Sequence, residues 1–115
     1  MPERNAMIIS LLTNTTANVT GTPEGIPPYQ NINSLNSSGL KSFQATVQGS
    51  GALAATVNVY GTNDQIGFIL LGTIILSGST LVTDWFQSTS LFGNYQAVLS
   101  GLSGTGATVN VTMVA

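Results

Sequence analysis

The chain of 115 residues contains no cysteine and no histidine. Without cysteine there is no disulfide, thiolate nucleophile or zinc-thiolate site, and without histidine there is no imidazole base, Ser-His pair or imidazole metal ligand. Most catalytic chemistry therefore lacks its usual side chains. We expect a protein that is not an enzyme and that uses no cofactor and no metal.

Charged residues are also scarce, since they make up 5% of the chain and leave a net charge of −2. A folded monomer of this mass exposes roughly 6,000 Å², or about 1,000 Å² for each charged side chain, whereas ordinary soluble surfaces are much richer in charge. Two cations, Arg4 and Lys41, are too few to neutralise a run of phosphates or to hold an anionic bilayer. We therefore expect neither nucleic acid nor membrane as a partner.

Apolar runs long enough to cross a membrane are missing too. The best candidate, residues 66–76, is interrupted by Gly67 and Gly72 and falls short of the ~20 residues that a spanning helix needs. Residues 6–12 form a short apolar run without a convincing signal-peptide cleavage site after it. We expect a chain made in the cytosol from Met1.

Composition divides the chain into an irregular first third, residues 1–39, and a regular remainder, residues 40–115. Residues 13–39 are rich in Thr, Asn, Ser and Gly, and they contain three prolines that oppose both helix and central strand. This composition predicts a long loop or an extended arm. Strands are predicted before and within it, at residues 7–12 and 17–20.

Strict alternation of apolar and polar side chains begins after Gly39. Residues 43–47 and 53–60 each place their apolar side chains on one face, and Gly49-Ser50-Gly51 between them predicts a tight turn and hence a hairpin. The last and most regular strand, at 107–113, follows Gly104-Thr105-Gly106, which predicts another hairpin loop.

Further strands are predicted at 68–76, 80–86 and 95–100, with turns at 61–64, 77–78 and 91–94. The apolar content of residues 68–76 on both faces favours the centre of a sheet or a covered interface. Six or seven short strands spaced by about 8 to 12 residues, without helical periodicity, predict an all-β antiparallel sandwich or a flattened barrel. Charged side chains on edge strands normally prevent these strands from pairing with other chains. The scarcity of charge therefore predicts assembly with neighbouring chains.

Two segments have a superficial likeness to ligand sites. Asn63-Asp64 together with Asp84 offers hard oxygen ligands for calcium, but we favour an Asx turn at Asn63-Asp64, which these residues commonly form. Residues 101–106 are glycine-rich like a phosphate loop, yet no lysine follows and a strand comes next, so we interpret them as a turn.

Aromatic residues are the remaining candidates for a functional surface. Trp85 and Phe86, at the end of a predicted strand, are expected to contact a partner, together with Tyr60 and Phe92. Rings of this kind also stack on sugars, with Asn and Gln binding the sugar hydroxyls. Core or inter-subunit packing is nevertheless the commoner role of such side chains.

Four segments carry a resemblance to a known class of protein: residues 43–45, 55–64 (ATVNVYGTND), 71–78 (LGTIILSG) and 104–111 (GTGATVNV). Their order resembles that of small β-sandwich proteins encoded among the virion genes of tailed bacteriophages, over residues 40–115. The resemblance implies a capsid decoration or cement protein, expected as a homotrimer in the virion and bound to the major capsid protein. The segment 1–39 would then reach across neighbouring subunits and stabilise the shell.

Two alternatives remain open. The chain is either placed elsewhere in the same virion, as a neck, tail or fibre component, or it is a carbohydrate-binding module that contacts host glycans. Copy number per particle separates the first alternative from decoration. Binding to glycans that depends on Trp85 would indicate the second.

Overall fold

The computed structural model describes residues 7–25 and 40–115, in which all regular structure is β-strand. The six strands are β1 (Ile8–Thr15), β2 (Val19–Thr20), β3 (Glu24–Gly25), β4 (Lys41–Thr62), β5 (Ile69–Ser88) and β6 (Asn94–Val114). They form one antiparallel sheet in the order β1-β6-β4-β5, and β2 and β3 also pair with β6. The prediction of an all-β antiparallel fold is confirmed. Residues 1–6 and 26–39, which belong to the predicted arm, lie outside the described residues.

The three long strands fold over on themselves. If β4 were straight, its 22 residues would span about 73 Å, whereas the longest dimension of the molecule is 47 Å. The last residue of β5 pairs with Lys41 and the first residue of β6 pairs with Thr62, at opposite ends of β4. Since residues 89–93 alone join β5 to β6, Ser88 and Asn94 lie within about 20 Å of each other, and the two ends of β4 that pair with them are close as well. The sheet is therefore a sandwich of two layers, and it is not closed into a barrel.

The bends lie where the sequence predicts turns. β4 continues through Gly49-Ser50-Gly51, and its register with β5 merely shifts between Gln48 and Ala52. Residues 77–78 likewise lie within β5, and residues 104–106 lie within β6. The predicted hairpin turns at these three places, and the short strands on either side of them, are wrong. A glycine with positive φ, such as Gly51 at 76°, forms a bulge in a continuous strand as readily as it closes a hairpin.

Other predicted elements agree with the structure. The first predicted strand is β1, which continues to Thr15, and the second is β2. The turns predicted near residues 61–64 and 91–94 correspond to the connections 63–68 and 89–93. The alternation predicted along β4 is confirmed, because its odd-numbered apolar residues are buried in both layers.

The inward faces of the two layers form one apolar core. Phe43, in the half of β4 that begins at Lys41, stacks on Phe86 with ring centroids 5.1 Å apart, and it lies 5.8 Å from the ring of Tyr95 at the start of β6. A Cβ atom at Gly72 would lie 2.6 Å from the Phe86 ring, so the two halves of β5 are packed against each other. Burial of each large side chain contributes about 1.5–3 kcal/mol.

The first three strands lie along one edge of the sheet. β1 pairs with residues 109–114 of β6, while β2 and β3 pair with residues 94–99, in the other layer. Leu11 and Leu12 are buried in the core. This edge is thus formed by three separate pieces, and β5 forms the opposite edge as one continuous strand.

Replacing Gly104 with asparagine should destabilise the bend in β6. Gly104 has a φ of 124°, and a Cβ there would overlap the buried side chain of Leu53. We expect the free energy of unfolding, measured with urea, to fall by at least about 2 kcal/mol.

Gly106→Asn is the matched control. Its φ of 63° is one that asparagine tolerates, and a Cβ there has no heavy atom within 4 Å. The control should change stability by less than about 1 kcal/mol. Equal losses in the two variants would contradict the assigned bend.

Candidate interaction surface

The outward side of the layer that begins at Lys41 carries no ionisable side chain on its three long strands. We call it the uncharged face. Its members alternate with the inward-facing residues along β4, β5 and β6, and they are Ser42, Gln44, Thr46, Gln48, Leu81, Thr83, Trp85, Gln87, Thr108, Asn110, Thr112 and Val114. This surface offers neighbouring molecules amide and hydroxyl groups with two large apolar side chains among them.

Trp85 is the most prominent side chain of the uncharged face, with 56% of its surface exposed. It lies opposite Gln44 in the pairing of β4 with β5. The Gln44 amide donates to Thr83 Oγ1 at 3.3 Å, and the Thr83 hydroxyl donates to the carbonyl of Ala45 at 3.0 Å. These bonds orient the polar groups around the indole, which combines an apolar ring with hydrogen-bonding neighbours.

The structure places the other three predicted partner-binding residues elsewhere. Phe86 points away from Trp85 into the core, where it stacks on Phe43. Phe92 packs against the core in the connection 89–93, at a ring angle of 87° to Tyr95. Tyr60 is half-buried on β4 and pairs with Gln96 in the other layer. Adjacent residues of a strand point to opposite faces, so Trp85 and Phe86 do not act on one surface.

Large apolar side chains are exposed along β5, most of them in residues 68–76, for which the sequence predicts the centre of a sheet or a covered interface. Ile69, Leu70, Ile75 and Leu81 are each more than half exposed, whereas Ile74 and Leu76 are buried. The prediction that residues 68–76 form the centre of a sheet is wrong, because β5 is an edge strand. The alternative, a covered interface, remains a prediction. The signal in the sequence was the lack of polar residues at every second position.

Asp64 organises the connection between β4 and β5. Its Oδ1 accepts hydrogen bonds from the backbone N–H groups of Ile66 and Gly67, both at 2.9 Å. The Thr62 hydroxyl donates to the Gly67 carbonyl at 2.7 Å. The bonds from Ile66 and Gly67 hold the pKa of the Asp64 carboxyl below its usual value. This is the Asx-type turn favoured by the sequence.

Tyr95 and Lys41 are polar residues of the interior. The Tyr95 hydroxyl donates to the Ser90 carbonyl at 2.9 Å and accepts from the Phe92 N–H at 3.0 Å. It therefore fixes the connection that joins the two layers, and burial raises its pKa. Lys41 Nζ lies 5.8 Å from the centroid of the Tyr95 ring, and burial lowers the pKa of Lys41.

The described residues contain no cluster of three acidic side chains that would hold a metal ion. Within the same residues, every buried polar side-chain atom has a hydrogen-bond partner. No helix in residues 7–25 or 40–115 is long and apolar enough to span a membrane. An open groove of about 430 Å³ lies between residues 16–18 and 102–107, and uncharged residues line it. The uncharged face and β5 are thus the most distinctive surfaces that the structure describes.

No family model and no curated protein matches the chain. Among solved structures, the chain is similar to the crystal structure of the SPBc2 prophage-derived protein YomS, with a TM-score of 0.57. The two sequences are 10% identical, and the similarity covers 100% of this chain and 97% of that one. At this level of identity the similarity concerns the fold, and it extends over the whole bent sandwich.

Acidification should weaken the turn at residues 64–67. Its hydrogen bonds favour the ionised carboxylate, so this extra stabilisation is fully present above the usual aspartate pKa of about 3.9 and is lost as the pH falls through the lowered pKa of Asp64, which leaves the weaker bonds to a neutral carbonyl. We expect the amide resonances of Ile66 and Gly67 to shift during NMR titration with an apparent pKa below 3.9.

Asp64→Asn keeps a carbonyl acceptor and Asp64→Ala removes it. The asparagine variant should retain slow amide exchange at Ile66 and Gly67 near pH 7 and lose the titration, while the alanine variant should exchange fast. Titration that persists in the asparagine variant would assign the shift to another group.

Proposed function

We propose that this chain is a non-enzymatic structural protein of a tailed-phage virion, and specifically a capsid decoration or cement protein. In this role it binds the major capsid protein, joins neighbouring capsid subunits and stabilises the shell. The similarity of its fold to a prophage-derived protein supports a phage setting. The resemblance of residues 40–115 to small virion β-sandwich proteins supports the same setting.

The observation that carries the proposal is the uncharged face with exposed Trp85 and Leu81. Burying an ionised side chain is costly, whereas amides and hydroxyls can be satisfied by hydrogen bonds across an interface. Fully buried interface centres are depleted in charge and enriched in aromatic residues. The uncharged face has no charge and presents one large exposed aromatic ring, that of Trp85, so it suits lasting contact with a protein neighbour.

A cement role requires binding and rigidity but no chemical step. Pairing along β4, β5 and β6 makes the sandwich one continuous sheet, which can transmit load between the proteins bound to its faces. Many modest contacts, repeated over a symmetric shell, add up to strong attachment. We propose a homotrimer as the assembled unit, with no nucleic acid and no membrane as partner. A neck, tail or fibre position remains the alternative within the same virion.

The proposal is tested with capsid shells that lack this protein. We expect added protein to bind saturably at sites distributed over the shell, and the coated shells to survive higher temperatures than bare shells. Cryo-electron microscopy then gives the position and the copy number. Failure to bind shells, or location in a ring of six or twelve copies at the tail, would refute decoration.

Trp85→Ala should weaken this attachment about tenfold, as expected when a central aromatic anchor is removed. Leu91→Ala is the matched control, since Leu91 is also an exposed apolar residue but lies in the connection 89–93. Equal affinity of the two variants would exclude the uncharged face as the attachment surface.

A second candidate function is glycan binding, favoured by the exposed indole of Trp85 beside Gln44 and Thr83. An aromatic ring stacks on the apolar face of a sugar, and flanking amides and hydroxyls bind its hydroxyls. On a glycan array, the native protein should then bind a defined set of sugars. Trp85→Ala should abolish the signal and Trp85→Phe should retain part of it, while an array without signal would exclude this function.

A further inference from the structure

The edge of β5 is open along its whole length in the described residues, because β5 pairs with β4 and with no other strand there. The pairing is regular at residues 72–79 and again at residues 81–88 of β5. In each stretch, alternate residues direct their backbone N–H and C=O groups away from β4. β5 therefore presents two regular rows of hydrogen-bonding groups that suit an added strand.

Apart from the irregularity at Thr80, whose φ is 68°, the edge of β5 has few of the features that normally prevent pairing. Its 20 residues contain no lysine, arginine or proline, and Asp84 is the single charge. The opposite edge differs, because it is divided among the three separate strands β1, β2 and β3. It also contains Pro23, between β2 and β3. Interruptions and prolines discourage strand addition, so the two edges are not equivalent.

Exposed apolar side chains flank the open edge on both layers. Ile75 is 69% exposed on the outward side of one layer, and Leu81 and Trp85 are each more than half exposed on the other. An added strand would cover such side chains through cross-strand contacts. The backbone and side chains of β5 thus favour the same kind of partner, an extended strand with apolar flanks.

We propose that β5 pairs with β5 of a second copy of this chain, antiparallel about a two-fold axis. A two-fold contact uses the same patch on both subunits, so a strand with apolar flanks supplies its own complement. Charge is compatible with this arrangement. The Asp84 carboxylates come face to face only when the axis passes near residue 84, and an axis within residues 72–79 keeps them well apart.

The size of the edge supports a second copy. Half of β5 is about 33 Å long, and the thinnest dimension of the molecule is 18 Å. The side of the sandwich formed by β5 therefore offers about 600 Å² on each subunit, or about 1,200 Å² in total, which lies at the lower end of the range for stable interfaces. A specific dimer at micromolar concentration is consistent with this area.

This inference rests on the proposed association of the chain with copies of itself, and it does not depend on the position in the virion. A two-fold contact gives dimers, or hexamers where it joins two homotrimers. It therefore requires an even number of copies in solution.

Three exposed isoleucines allow a matched test. Ile75 lies on β5, Ile8 lies on the opposite edge and Ile66 lies in the connection 63–68, and their exposed fractions are 69%, 72% and 86%. Each is changed to lysine, and the mass and association constant are measured by sedimentation equilibrium. We expect an even-numbered assembly for the native chain and for the Ile8 and Ile66 variants. Ile75→Lys should weaken it at least tenfold, because a lysine beside the edge opposes pairing.

Hydrogen–deuterium exchange supplies the second measurement. In the assembly, backbone amides of residues 72–79 or 81–88 that point away from β4 should be protected, and dilution to monomer should remove that protection. Leu81→Lys is measured alongside Ile75→Lys, with circular dichroism to confirm folding, so that failure of one variant to fold does not remove the test.

Several results would overturn the proposal. They are a native chain that is monomeric at high concentration, an assembly of three copies alone, and equal weakening by Ile8→Lys, which would indicate pairing of β5 with β1. Protection of the outward β5 amides in a monomer would show that the chain covers its own edge. If the protein forms dimers that do not bind capsid shells, the cement role is refuted and β5 pairing stands. If it binds capsid shells as a monomer, β5 pairing is refuted and the cement role stands.

Discussion

The structure depends on folding one sheet over on itself. Strands of 20 to 22 residues are too long to remain straight in a small molecule, and a single sheet cannot bury its apolar face alone. Bending β4, β5 and β6 at their centres brings the two halves of that face together. Phe43, Phe86 and Tyr95 meet across the fold, and the short connection 89–93, held by the Tyr95 hydroxyl, is possible only because the ends of β4 are close.

The scarcity of charge acts on the surface more than on the core. The apolar interior needs no ions, and a protein with four charged side chains among residues 7–25 and 40–115 has little charge to repel other chains. On the uncharged face this leaves hydroxyls, amides and an exposed indole. Along β5 it leaves an open edge with no lysine, arginine or proline. Both surfaces are better suited to contact with protein than to lasting exposure to water, which links the composition to the assembly that we propose.

Sequence reasoning succeeded where the controlling interactions are local. The alternation in β4 and the Asx turn at Asp64 follow from side-chain pattern and turn chemistry. It failed at Gly49-Ser50-Gly51 and at residues 104–106, because a glycine with positive φ is common to turns and bulges. Pairing with strands that are distant in sequence decides between a turn and a bulge, since β5 and β6 pair with β4 on both sides of its bend. The grouping of Trp85 with Phe86 failed for a related reason, because neighbours in a strand face opposite ways.

The amino-acid sequence alone determined that the chain is all-β, that its core is built from alternating small and branched apolar side chains, and that it contains no cysteine and no histidine. These properties depend on residue type and on spacing along the chain. The tertiary structure decided that the strands are long and bent, that β5 is an edge, and that Trp85 faces outward while Phe86 is packed inside. These properties depend on which strands lie next to each other, and pairing between distant segments is not encoded in any short stretch of residues.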